Sequence, residues 1–153
     1  MVIARRYTAV LFIAFFSFGA WSEQVELSMT ALMATNEGRT VKYIDPSLNK
    51  IRHAVEHLDY DTFKKLTATE TSLTYGKETK LRINDRFTLG LTPEKKDSKG
   101  RVRVHAIIEA ASSDGKRKKK ALDSMLILAP GKPINLAIVG SEDGGLFVVL
   151  VAK

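Results

Sequence analysis

The stretch LDSMLILAPGKPINLAIVGSEDGGLFVVLVA, residues 122–152, decides how the rest of the chain must be arranged. It holds three apolar runs, at residues 122–128, 134–139 and 146–151. Pro130-Gly131 parts the first from the second, and Gly140 with Gly144-Gly145 parts the second from the third. Apolar runs of this length between Gly and Pro read as buried strands joined by turns. The last run, Leu146-Phe147-Val148-Val149-Leu150-Val151, has no polar residue. A strand with one wet face alternates; one without alternation is covered on both faces. Left uncovered, such a run is an aggregation site, so the upstream chain must supply its cover.

Moving upstream, two hairpins are legible. Val102, Val104, Ala106 and Ile108 alternate with Arg101, Arg103 and His105, and Asp114-Gly115 marks the turn. A three-residue loop from Asp114 to Lys116 sets these residues opposite Leu128, Leu126, Ser124 and Leu122. A two-residue loop would instead bring Ala106 against Asp123, a poor interior pair. Earlier, Thr79, Leu81 and Ile83 face a second alternating run, Phe87, Leu89 and Leu91. A three-residue loop, Asn84 to Arg86, pairs Ile83 with Phe87 and Leu81 with Leu89; directly paired residues share a face, so this register is expected.

Further upstream, residues 63–74 carry Thr67, Thr69, Thr71 and Thr74, which favour a strand. Asp45-Pro46 reads as a helix start, with Asp as cap and Pro pre-set for the first helical position. Leu48, Ile51, Val55 and Leu58 then form an apolar stripe, predicting a helix ending near Leu58-Asp59. Val25, Leu27, Met29 and Ala31 alternate with Glu26, Ser28 and Thr30, a half-buried strand that Asn36-Glu37-Gly38 ends. The expected fold is therefore mainly β with one helix (α+β). It is an antiparallel β-sandwich or partly open barrel of about eight strands, with the helix packed on it.

The first 22 residues stand apart. Arg5-Arg6, an apolar run over residues 7–18 and Ala20-Trp21-Ser22 have the form of a signal peptide cleaved before Glu23. A retained anchor is the alternative, but a spanning helix needs about 20 apolar residues. The surroundings of Arg5-Arg6 match the twin-arginine pattern poorly, so the general secretory route is expected. Residues 23–153 then form one β-rich domain, exported to the periplasm or the medium. The formal charge of +7 falls to about +5 on loss of Arg5 and Arg6 (7 minus 2). Export removes nucleic acid as an expected partner. The absence of cysteine excludes disulfides, a cysteine zinc site and a thiol nucleophile.

Three features bear on chemistry. His53, Glu56 and His57 match the H-x-x-E-H pattern of zinc peptidases, in which two histidines one helical turn apart bind metal and the glutamate activates water. On a helix they lie opposite the Leu48/Ile51/Val55 stripe, on the solvent side, so they remain remote candidates and no metal or other cofactor is expected. Lys116, Arg117, Lys118, Lys119 and Lys120 form a basic run at a hairpin tip. Such a run binds anionic lipid or glycan, or simply guards a sheet edge against pairing. A strand separates it from Lys95, Lys96 and Lys99 by ~30 Å, so these are two patches. Asp59 and Asp61 read as turn and cap residues. No nucleophile elbow, phosphate loop or calcium loop occurs.

The pattern of a signal segment, Asp45-Pro46 with Leu48, Phe63 to Leu66, Gly76, Gly100 with Val102, Pro130-Gly131-Lys132-Pro133, Gly140 and Gly144-Gly145-Leu146 resembles a loose group of small exported bacterial β-rich proteins of unknown function. The resemblance implies an envelope location and carries no functional residues. The expected function is a non-catalytic envelope binding or assembly module that contacts another envelope protein. Anionic-surface binding through the basic run is the alternative.

Overall fold

The structure, a computed structural model, describes residues 23–140 and 144–153. Its strands are β1 (Gln24–Thr35), β2 (Tyr43–Ile44), β3 (Thr62–Thr74), β4 (Thr79–Arg82), β5 (Phe87–Lys96), β6 (Val102–Ala111), β7 (Lys118–Leu128), β8 (Ile134–Gly140) and β9 (Gly144–Ala152). They form two sheets, ordered β2-β3-β1-β9-β8 and β4-β5-β6-β7. All neighbours are antiparallel except β2 and β3. This is the expected β-sandwich with one short helical segment. The ninth strand is the two-residue β2, too short to leave a periodic signal.

The last strand is covered on both faces. Leu146, Val148, Leu150 and Ala152 enter the core between the sheets, with Val25, Leu27 and Met29 of β1 and Leu89, Val104 and Ile108 opposite. Phe147 and Val149 enter a second core with Leu32, Ala34, Leu48, Val55 and Phe63. Each such buried Val, Leu, Ile, Met or Phe side chain contributes about 1.5–3 kcal/mol. β1 records where the second cover lies. Its first half alternates, with Glu26 exposed, because no helix lies over it. In its second half both Ala31 and Leu32 are fully buried. The register slips there: Ala31 pairs with Thr67 and Leu32 with Lys65, leaving Leu66 as a bulge at 44% exposure.

The cover differs from the helix that was expected over Asp45 to Leu58-Asp59. Pro46–Ile51 is a 3-10 helix, followed by one turn of α-helix, α1 (Arg52–Val55). Leu48 and Ile51 are three apart, so they eclipse at three residues per turn and both face the sheet. Val55, four further on, needs the α-turn to rejoin them. Asp45 Oδ1 accepts from the Ser47 N–H at 2.9 Å and the Ser47 hydroxyl at 2.6 Å, the capping role expected of it. At the far end Lys42 Nζ donates to the carbonyls of Glu56 and Leu58, at 2.6 and 2.7 Å, which no further turn would satisfy.

The β4–β5 hairpin has the expected register: Leu81 pairs with Leu89, and Ile83 N–H donates to Phe87 O at 3.0 Å. The Asn84 side chain closes its loop by accepting from the N–H groups of Arg86 and Phe87. In the β6–β7 hairpin the four expected pairs, from Val102 with Leu128 to Ile108 with Leu122, are present. The loop is corrected. Ser112 N–H donates to Arg117 O at 2.8 Å, so the loop spans four residues, 113–116. Glu109 pairs with Lys120, and the skipped Ala121 is a bulge that restores the inner register.

Candidate functional site

β7 ends one sheet and β8 ends the other, and a tight turn joins them. In that turn Lys132 N–H donates to Ala129 O, and Gly131 N–H ties it to Ala152 O at 2.7 Å. Of the inner-face apolar side chains of these two strands, Leu128 and Leu136 are buried, while Leu122, Leu126, Ile134 and Ile138 are only partly buried against the central core. On the opposite side, where β3 passes to β4, Leu73, Leu81, Ile83 and Phe87 are all buried. The sandwich therefore has one closed side and one apolar seam. Charge guards only part of the seam. Lys118, Lys119 and Lys120 stand on the start of β7 and Asp123 follows, but residues 124–128 and 134–138 carry none. An uncharged strand at a sheet edge is a template for pairing.

The outer face of β5–β7 carries a groove of about 540 Å³ lined by Lys95, Asp97, Arg101, Arg103, Met125 and Ile127. Met125 and Ile127 are 39% and 57% exposed. Sequence reasoning placed Leu122, Leu126 and Leu128 inward without drawing the corollary that Met125 and Ile127 must then face out. The periodicity already held that signal. Asp97 is engaged by its own loop, accepting from the N–H groups of Lys99 and Arg101 at 2.9 Å and from Arg101 Nε at 2.6 Å. Desolvation opposes its ionisation, yet the Arg101 N–H and guanidinium and the Lys99 N–H hold its pKa below the ordinary value. Beside the groove His105 Nε2 lies 2.6 Å from Asp123 Oδ1, and Lys120 Nζ lies 3.1 Å from Oδ2. The His105 contact, then the Lys120 contact, lowers the Asp123 pKa.

The basic run sits where expected. Lys116 lies in the four-residue loop, Arg117 closes it, and Lys118, Lys119 and Lys120 open β7, all exposed. Among the described residues only Lys120 of the five pairs with an acidic side chain, Asp123. The two basic clusters are not brought together: Lys96 pairs with Val102 at one end of β6, and Lys118 with Ala111 at the other.

His53, Glu56 and His57 are all exposed. The α-turn ends at Val55, so the regular helix that would align His53 with His57 is absent at His57. Glu56 pairs with Arg52 at 3.5 Å. Among the described residues no group of three or more His, Cys, Asp or Glu side chains is placed to hold a metal ion.

Asp61 has the turn role expected of it, over a longer range than sequence suggests. Its Oδ1 accepts from the Glu37 N–H at 2.9 Å and the Thr62 hydroxyl at 2.7 Å, and its Oδ2 from the Arg39 N–H at 2.9 Å. The Glu37 N–H, then the Thr62 hydroxyl, push its pKa down to about 2; desolvation opposes them, and the Arg39 and Gly38 N–H groups assist. Asn135 was not singled out in sequence. Its Nδ2 donates to Ala54 O at 2.5 Å and ties α1 to β8.

The signal-peptide reading falls on residues 1–22, outside the described residues. Among the described residues no helix is long and apolar enough to cross a membrane. Comparison with family models, curated proteins and solved structures returned no match. The class that fold and surface define is a two-sheet antiparallel sandwich with a helical cap on one sheet and an open apolar seam on one side.

Proposed function

We propose that this chain is a non-catalytic binding or assembly module of the cell envelope, exported by its N-terminal segment, and that it docks another envelope protein along the β7–β8 seam. The observation that carries this reading is the seam itself. Leu122, Leu126, Ile134 and Ile138 are left partly uncovered beside two edge strands without charge over residues 124–128 and 134–138. A partner strand laid on either edge gains main-chain hydrogen bonds, and alternate side chains fill the seam. The lysines at the start of β7 then limit pairing to the uncharged half.

The test is site-specific photo-crosslinking in the native cell. A crosslinker at Leu126 or Ile138 should give a discrete protein adduct, and one at Thr88 on the opposite side of the second sheet should not. Adduct formation at Ile138 should vanish when Leu126→Lys is added. Equal labelling from Thr88, or no adduct from either seam position, would sink the reading.

The runner-up is docking of the basic run, residues 116–120, on anionic lipid or glycan. Four of its five cations lack an acidic partner among the described residues, which favours it as an alternative. That binding should weaken steeply between low and physiological salt and disappear in Lys118→Glu/Lys119→Glu, whereas seam docking should survive both.

A further inference from the structure

We infer that the outer face of β5–β7 carries a second, separate site, for a long-chain monocarboxylate such as a free fatty acid. Lys95 pairs directly with Arg103, and Arg103 pairs directly with Ile127. The three form one row across three strands, about 10 Å from end to end. Like charges set directly opposite on neighbouring strands repel. The carboxylates nearby do not cancel this row. Asp97 is turned to its own loop and to Arg101 at 2.6 Å, and Glu94 reaches Arg103 only at 4.0 Å. Lys95, Arg101 and Arg103 against Asp97 and Glu94 leave one positive charge (3 minus 2). The complement is a monoanion, and the planar guanidinium of Arg103 suits a carboxylate.

The other half of the row is apolar. Ile127 and Met125 stay exposed on the same face, two residues apart along β7. Methionine adapts its shape to an alkyl chain. A ligand with its carboxylate on Lys95 and Arg103 therefore has an apolar floor immediately beside it. The groove of about 540 Å³ has the size of a small-molecule site. This site uses the outer face of β7, whereas the seam uses its edge and inner face, so the two stand or fall separately.

The experiment is a methyl-NMR titration of the purified protein at physiological salt, reading Met125 and Ile127. Dodecanoate, kept below its micelle concentration, should shift both methyls saturably with one equivalent. Dodecanol, with the chain and no charge, and acetate, with the charge and no chain, should each bind at least about tenfold more weakly. Arg103→Gln and, independently, Lys95→Gln should each weaken dodecanoate about tenfold, while Leu66→Thr on the other sheet should leave it unchanged. Dodecanol binding as tightly as dodecanoate would overturn the proposal. So would acetate alone moving both methyls to the same end point, or response only to anionic phospholipid vesicles, which would make this face a membrane-docking surface.

Discussion

Phe147 and Val148 are neighbours in the chain and belong to different cores. Phe147 meets Tyr60 edge-on at 5.7 Å under the helical cap, and Val148 is fully buried between the two sheets. Both faces of β9 are therefore interior. Val149→Asp on the cap side and Val148→Asp on the sheet side should each cost roughly 3 kcal/mol or more, since an unpaired buried charge adds to lost packing. Chemical denaturation checks this. A Val149→Asp protein with unchanged midpoint would show that the cap leaves that face wet.

Asp61 makes a pH prediction. Its folded pKa of about 2 lies below the ordinary 3.8, so its stabilisation is present above about pH 4. It is lost as pH falls through the window from about 4 to 2, where the carboxylate gains a proton and stops accepting from Glu37 and Arg39. The carboxyl resonance of Asp61 should titrate near pH 2, and amide protection at Glu37 and Arg39 should fall with it. Asp61→Ala should lower the melting temperature at pH 7 and abolish that protection at every pH. An ordinary midpoint near 3.8 would contradict these hydrogen bonds from Glu37, Arg39 and Thr62.

The strand registers predict tolerance as well as damage. Ala121 is a bulge on an edge strand and Leu66 a bulge with an exposed side chain. Leu66→Thr should change stability by less than ~0.5 kcal/mol, while Leu150→Ala should cost about 2–5 kcal/mol. Equal losses in the two variants would reverse the assignment of inside and outside.

Metal analysis tests the H-x-x-E-H match. Purified protein should hold no stoichiometric zinc, and His57→Ala should leave its metal content unchanged. One tightly bound zinc, lost in that variant, would bring back the zinc-peptidase reading.

N-terminal sequencing of the protein made in its own cell tests export. The mature chain should begin near Glu23. A product retaining Met1 in the cytoplasm would end the envelope proposal.

What sequence could and could not reveal divides by range. Alternation exposed the hairpins, because the pairings of Leu81 with Leu89 and Val104 with Leu126 are decided by two alternating strands consecutive in the chain and the short loop between them. The double cover of β9 was legible because Leu146 to Val151 contains no polar residue. That β1 lies between β3 and β9 was not legible, since no local pattern reports which distant strand is a neighbour. The 3-10 geometry was hidden because Leu48, Ile51 and Val55 suit an α-helix as well as a mixed one. The reach of Asp61 to Glu37, like that of Asn135 to Ala54, is set by tertiary placement. Of the surface, the basic run was legible as charge and Met125/Ile127 as phase. The seam needed strand order.

The pairing of β1 with β9 joins the first strand of the sandwich to the last, from Leu27 with Ala152 to Thr35 with Gly144. The place between β1 and β8 in the first sheet therefore stays vacant until the final strand arrives, whatever the hairpins between have done. Contacts this distant in sequence make folding slow, and here they also fix its timing. A chain emerging from the ribosome can form the β4–β7 meander early. It cannot close its core until residues 144–152 have been synthesised and released. A chain ending before Gly144 should show hairpin structure and no cooperative melting. If the chain is exported as proposed, that delay keeps the polypeptide threadable for as long as it is being made.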